Sequence, residues 1–135
     1  MRKHLTALMA AGLLVAGGGT AWAHHPFSAE YDSNKPAQLD GRITRVEWSN
    51  PHAFLVVDGR ADNGKIEHWK VELGSPGALA KHGWKRGAVH TGDEVTIKGW
   101  YARDGKRQIN AEGVRLNRLG REFDAASSYH SAAAN

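Results

Sequence analysis

Apolar residues in the central part of the chain follow the two-residue period that is typical of β-strands. The first predicted strand spans residues 39–49, where Leu39 and Ile43 share one face and Val46 and Trp48 take the opposite parity. A one-residue shift of this kind is produced by a β-bulge, which curves the strand. The pattern therefore predicts a long, bent first strand.

Four further strands and one helix follow. Residues 52–58 are an almost continuous apolar run, and residues 66–73 alternate, with His68, Lys70 and Glu72 predicted to face solvent. Asp62-Asn63-Gly64 predicts the turn between these two strands. The fourth and fifth strands are joined by a predicted hairpin at Asp104-Gly105, and the fifth has a second phase shift after Ala111.

The predicted helix lies between the third and fourth strands. Ser75 can cap its first turn, Pro76 suits its first position, and Gly83 suits the left-handed residue after its end. A bent first strand, a meander, a helix and a final hairpin are the order of a five-stranded OB-like barrel. We therefore predict an all-β domain with one short helix; a small open sandwich or another five-stranded roll are the alternatives.

The N-terminal segment has the features of a secretory signal peptide. Basic residues 2–4 precede an apolar run over residues 5–16, which is shorter than the roughly 18–20 residues of a membrane-spanning helix. Ala21-Trp22-Ala23 supplies the small-x-small cleavage pattern, so cleavage is predicted after Ala23. We divide the chain into a signal peptide (1–23), an irregular segment (24–38), the barrel domain (39–119) and a disordered tail (120–135), and predict a periplasmic protein with no membrane span after cleavage.

The amino-acid composition excludes several kinds of partner and site. Cleavage removes 23 of the 135 residues and leaves 112. These 112 residues contain 16 of the 18 basic side chains and all 14 acidic ones. A net charge of only +2 does not favour a nucleic-acid partner. The chain has no Cys and both Met residues lie in the signal, which excludes disulfides, thiol chemistry and soft metal sites in the mature protein. Without a recognised catalytic motif, we predict that the protein is not an enzyme.

Five motifs resemble those of a family of small exported bacterial proteins, known only as the domain of unknown function numbered six-one-five-two. The resemblance covers residues 24–117 and rests on His24-His25-Pro26-Phe27-Ser28-Ala29-Glu30-Tyr31-Asp32, Gly41-x-Ile43-x-x-Val46-Glu47-Trp48-x-Asn50-Pro51-His52, Trp69-x-Val71-Glu72, Leu79-x-x-x-Gly83-Trp84 and Gly92-Asp93-x-Val95-x-Ile97-x-Gly99. Family members commonly have Ser where this chain has Pro26. The resemblance implies export but no established activity.

Signal cleavage would make His24 the N-terminal residue. Its α-amine and imidazole could then chelate one metal ion, and a second imidazole would complete a nitrogen-rich site that suits Cu(II). The candidate third ligands are His52, which we favour because it begins a strand, and the adjacent His25. Glu30 and Asp32 are candidates for an axial oxygen or for an outer partner of an imidazole.

Other interpretations of these residues remain open. Cleavage one residue earlier would leave Ala23-His24-His25, which binds Cu(II) through the amine, two amides and an imidazole, without His52. The histidines could also be an ordinary solvated N-terminus, and His52 could simply hydrogen bond backbone. The other mature histidines are predicted to be surface residues: His68, His82, His90 and His130.

Two tryptophans, Trp48 and Trp100, suggest an alternative function. Trp100 has the opposite parity to Val95 and Ile97, so it is predicted to be exposed and able to stack a ring. With Trp48 it would form the ligand face of an adaptor that binds a small ligand or a periplasmic protein without metal. Our leading hypothesis remains a periplasmic accessory protein that binds Cu(II).

Overall fold

The computed structural model describes residues 26–60 and 64–129. The predicted signal peptide, His24 and His25, the predicted turn residues Asp62 and Asn63, and residues 130–135 lie outside this part of the chain. The elements run in the order α1 (Phe27–Glu30), β1 (Tyr31–Glu47), β2 (Phe54–Arg60), β3 (Ile66–Glu72), α2 (Pro76–Lys81), β4 (Glu94–Ala102), β5 (Gln108–Leu116), a 3-10 turn (Asn117–Leu119) and β6 (Arg121–Asp124). The prediction of a mostly β chain with a short helix between the third and fourth strands is confirmed, whereas α1 was not predicted.

Five of the strands pair in a closed ring. β1 pairs antiparallel with β2 and β4, β2 pairs with β3, and β4 pairs with β5. The ring closes where β3 and β5 pair in parallel, with Lys70, Val71 and Glu72 beside Gln108, Ile109 and Asn110. β6 was not predicted; it pairs with β5 outside the ring.

Both predicted phase shifts are present as irregular registers. Along β1 the pairing with β2 shifts between Ile43 and Arg45. Along β5 it shifts between Ala111 and Gly113, opposite Gly99. A Cβ on Gly99 would lie 2.0 Å from the Asn110 carbonyl oxygen, so only glycine allows these two strands to approach so closely here.

The ends of α2 form as predicted. The Ser75 hydroxyl accepts a hydrogen bond from the Ala78 N–H at 3.1 Å, and Pro76 occupies the first helical position. Gly83 has a φ of 83°, and the Trp84 N–H donates to the Leu79 carbonyl at 3.0 Å. These contacts satisfy backbone groups at both ends of a helix of only six residues.

Two apolar clusters hold the domain together. The larger one takes residues from all five ring strands and from α2, including the fully buried Leu39, Leu55, Val71, Ile97, Ile109 and Leu79. Burial of side chains of this size contributes about 1.5–3 kcal/mol each. In the described ranges, 26–60 and 64–129, no helix is long and apolar enough to span a membrane.

The second cluster corrects two predicted boundaries. It consists of Phe27, Tyr31, Trp100 and Ala102, with Tyr129 packed against them. The predicted irregular segment (24–38) therefore contains α1 and the first residues of β1, which begins at Tyr31 rather than at residue 39. The prediction of disorder for 120–135 is wrong for residues 121–129, because β6 pairs with β5 and Tyr129 covers Trp100.

Candidate functional site

His52 lies between the Asn50–Pro51 peptide, which is cis, and the start of β2. Its backbone neighbourhood is held by two hydrogen bonds: the Ala53 N–H donates to Gly74 at 3.0 Å, and the Leu73 N–H donates to Ala53 at 2.9 Å. The His52 side chain keeps 25% of its surface exposed. A half-buried imidazole on a well-anchored backbone has few orientations available.

The surroundings of His52 determine where its proton lies. The His52 Nδ1 atom is 3.2 Å from the Leu73 carbonyl oxygen and 3.6 Å from Oε1 of Glu72. A carbonyl oxygen can only accept, so Nδ1 must carry the proton of this hydrogen bond. In the neutral ring the lone pair then lies on Nε2, the nitrogen through which the imidazole could bind a metal ion.

Glu72 is a buried carboxylate beside this histidine, with 6% of its surface exposed. The Tyr31 hydroxyl donates to Oε2 of Glu72 at 2.5 Å, and the Asn110 amide donates to Oε1 at 3.4 Å. The prediction that Glu72 faces solvent is wrong. The side chain of Glu72 lies on the outward face of β3, as the alternation predicts, but Tyr31 from the start of β1 covers it.

The two hydrogen-bond partners of the Glu72 carboxylate, Tyr31 and Asn110, make further polar contacts. The Gln108 amide donates to the Tyr31 hydroxyl at 2.5 Å. The Asn110 amide also donates to the Ser128 hydroxyl at 2.9 Å, and its oxygen accepts from Ser127 at 2.7 Å. Residues close to both ends of the described chain therefore meet on one buried carboxylate, through Tyr31 on one side and Asn110 on the other.

Burial dominates the electrostatics of this group. It raises the pKa of the Glu72 carboxyl, a rise that the hydrogen bond from Tyr31 and the charge of His52 partly offset. Burial and the nearby Glu72 charge also raise the pKa of the Tyr31 hydroxyl well above its ordinary value. Tyr31 therefore keeps its proton at physiological pH and acts as a donor to Glu72.

The two predicted outer carboxylates lie in different settings. Glu30 is exposed at the end of α1, and its charge contributes to the raised pKa values of Tyr31 and Glu72. Asp32 faces Arg103 at 3.7 Å and accepts a hydrogen bond from the Asn34 N–H at 3.0 Å. Asp32 is thus engaged in an ion pair on the β1–β4 side of the domain.

The predicted ligand face is not open. Trp100 is only 8% exposed: its ring stacks on Tyr129 with centroids 3.6 Å apart and meets the edge of Phe27 at 5.6 Å. The prediction that Trp100 is exposed is wrong because both terminal segments cover the outer face of β4. Trp48 is half-buried and contacts the Trp84 ring at 6.2 Å.

Three of the remaining histidines are surface residues, as predicted. His68, His82 and His90 are exposed, and each lies near an aspartate: Asp58, Asp124 and Asp93, respectively. His130 lies outside the described residues. Within 26–60 and 64–129, no three metal-binding side chains of His, Asp or Glu are grouped around one point. A metal site at His52 would therefore need ligands from elsewhere, such as His24 or His25.

The residues that sequence reasoning missed are Tyr31, Glu72, Asn110 and Ser127. Tyr31 and Glu72 each lie in a motif that carries the family resemblance, which was the available signal. Asn110 lies on the last strand of the ring and Ser127 in a segment predicted to be disordered, and no motif marks either of them.

Comparison with known proteins agrees with the resemblance. The model of a family of unknown function (DUF6152) matches residues 11–111, which include α1, Tyr31, His52, Glu72 and Asn110. No curated protein and no solved structure matches the chain. The chain belongs to DUF6152, a family of unknown function.

Proposed function

We propose that this is an exported periplasmic accessory protein that binds Cu(II) through the amine and imidazole of an N-terminal His24 and through Nε2 of His52. Cleavage after Ala23 would create the amine ligand. The three nitrogens would form a T-shaped set, which suits the tetragonal preference of Cu(II). The role is binding rather than catalysis, and His25 is the alternative ligand if His52 does not bind the metal.

The orientation of His52 is the observation that carries this proposal. Its Nδ1–H donates to the Leu73 carbonyl at 3.2 Å and faces the Glu72 carboxylate at 3.6 Å. Metal-binding histidines are typically oriented in this way, with one ring nitrogen donating to a carbonyl or carboxylate and the other on the metal.

The position of α1 adds support. Phe27 stacks on Tyr31 with ring centroids 5.6 Å apart, and Tyr31 donates to Glu72, which faces His52. We call residues 27–31 the N-terminal arm. His24 is three residues before the arm, and three residues of extended chain span at most about 10 Å. Chain length alone therefore limits the distance between the His24 and Phe27 backbones to about 10 Å.

The architecture proposed for this role is an OB-like barrel, of which the closed five-strand ring and the helix between β3 and β4 are the supporting features. The adaptor alternative has less support because Trp100 is buried. A ligand would have to displace the terminal segments before it could stack on that ring.

The test is calorimetric titration of Cu(II) into the mature protein with His24 at its N-terminus. One variant adds a glycine before His24, and another carries His52→Ala. Both should weaken binding by more than the roughly 10–100-fold that loss of an outer partner costs. Wild-type binding should also weaken as the pH falls, because protons compete with the metal ion for the nitrogen ligands. Equal affinities for all three proteins would refute the proposal.

A further inference from the structure

We infer that Glu72 is a positioning residue that holds His52 and the N-terminal arm in one arrangement, an inference that rests on the proposed Cu(II) site. The two oxygens of its carboxylate face different parts of that site. Oε2 accepts from Tyr31 at 2.5 Å, and Oε1 faces His52 Nδ1 at 3.6 Å. A single side chain therefore lies beside His52 and is hydrogen bonded to the arm that follows His24 in the chain.

The contacts on the His52 side favour one tautomer. A negative oxygen 3.6 Å from Nδ1 stabilises the proton that Nδ1 donates to Leu73. The Asn110 amide donates to the same Oε1 atom at 3.4 Å, which limits the rotation of the carboxylate. Glu72 thus keeps the lone pair of His52 on Nε2.

The contacts on the arm side constrain α1. Tyr31 is 1% exposed, accepts a hydrogen bond from Gln108 at 2.5 Å, and donates its own proton to Glu72. The Phe27 ring stacks on the Tyr31 ring. The arm is therefore attached to the ring of strands by a buried hydrogen bond as well as by aromatic packing.

Glu72→Gln separates positioning from simple packing. A carboxylate accepts through both oxygens, whereas an amide of the same shape accepts through one and donates through the other. All the neighbours of Glu72 described above, namely Tyr31, Asn110 and His52, present donors. An NH2 group in place of Oε2 would compete with the Gln108 amide for the Tyr31 hydroxyl oxygen and so weaken the attachment of the arm. An NH2 group in place of Oε1 would instead remove the acceptor that faces His52.

The experiment measures three quantities for the wild type, Glu72→Gln and a control, Glu94→Gln, whose exposed carboxylate pairs with Arg42. ¹⁵N NMR of the copper-free protein reports the His52 tautomer. Amide hydrogen exchange at residues 27–31 reports the arm, and calorimetry reports Cu(II) affinity. We expect Glu72→Gln to change the tautomer or the exchange and to raise the Kd about 10–100-fold. The control should match the wild type.

Two results would overturn the inference. One is a folded Glu72→Gln protein that keeps both the wild-type His52 tautomer and the wild-type exchange of the arm. The other is a wild-type protein with its His52 proton on Nε2, which needs no variant to fold. If the wild type binds no Cu(II), the proposed function fails, but the two copper-free measurements still decide whether Glu72 positions His52 and the arm.

Discussion

Replacing Tyr31 with Phe removes one oxygen from the buried network and little else. The ring remains in its stack on Phe27, so the apolar packing is preserved. The hydroxyl that donates to Glu72 at 2.5 Å and accepts from Gln108 at 2.5 Å is lost. The carboxylate, whose side chain is 8% exposed, then loses the donor to its Oε2 atom.

The expected loss of stability follows from these contacts. A hydrogen bond to a charged group contributes about 1.5–3 kcal/mol, and Gln108, which is half-buried, can exchange its lost acceptor for water. We therefore expect Tyr31→Phe to lower the free energy of unfolding by about 2–3 kcal/mol. For a domain of this size, the Tm should fall by roughly 10 °C or more.

Urea denaturation of the wild type, Tyr31→Phe, Glu72→Gln and the double variant tests this value. Because the two residues share one hydrogen bond, their effects should not add, and the coupling energy should be roughly 1–3 kcal/mol. A Tyr31→Phe protein within about 0.5 kcal/mol of the wild type, or additive effects in the double variant, would refute the reasoning.

Three further predictions concern other parts of the fold. Trp100→Ala should cost about 3–5 kcal/mol in urea denaturation because its ring is buried, whereas an exposed ligand-binding ring would cost under about 0.5 kcal/mol. Burial opposes ionisation of Asp93, but the His90 N–H and the Arg118 guanidinium hold its pKa below the ordinary value. The stability that it adds, measured against Asp93→Asn, should be full above about pH 4 and should disappear as the pH falls through that lowered pKa; a constant difference would contradict this. A Cβ at Gly74 would lie 2.0 Å from the Ala126 carbonyl oxygen, so Gly74→Ala should lower the free energy of unfolding by about 1–3 kcal/mol. A Cβ at Gly77 would have no atom within 4 Å, so Gly77→Ala should be neutral or stabilising. Equal Tm values for the two variants would contradict this prediction.

Local sequence rules were sufficient for the bend in β1 and for the ends of α2. The phase shift after Ile43 predicted the irregular register of β1. Ser75 and Gly83 predicted the ends of α2. Each of these signals lies within a few residues of the structure that it specifies, so no knowledge of distant contacts was required.

The sequence did not reveal which distant segments pack over the outward faces of the strands. Glu72 alternates outward on β3 as expected, yet it is buried because Tyr31, 41 positions earlier in the chain, lies over it. Trp100 likewise has outward parity and is covered by Phe27 and Tyr129. Periodicity gives the face of a strand on which a side chain lies, but not which distant segment packs against that face.

The proposed metal site was predictable only in part. His52 was predicted as a ligand because it was expected to begin the second strand. β2 begins two residues later, at Phe54, and the structure adds the Leu73 and Glu72 contacts that orient the His52 ring. Those contacts depend on the pairing of distant segments. His24, which would supply two of the three nitrogens, lies outside the described residues.

The most direct test of the central claim is the EPR spectrum of the one-to-one Cu(II) complex, recorded with ¹⁵N-labelled histidine. We predict an axial spectrum with two coordinated imidazoles in the wild type and in His68→Ala, whose histidine lies exposed on β3. His52→Ala should retain only one. An unchanged number of coordinated imidazoles in His52→Ala would show that His52 does not bind the metal and would contradict the account.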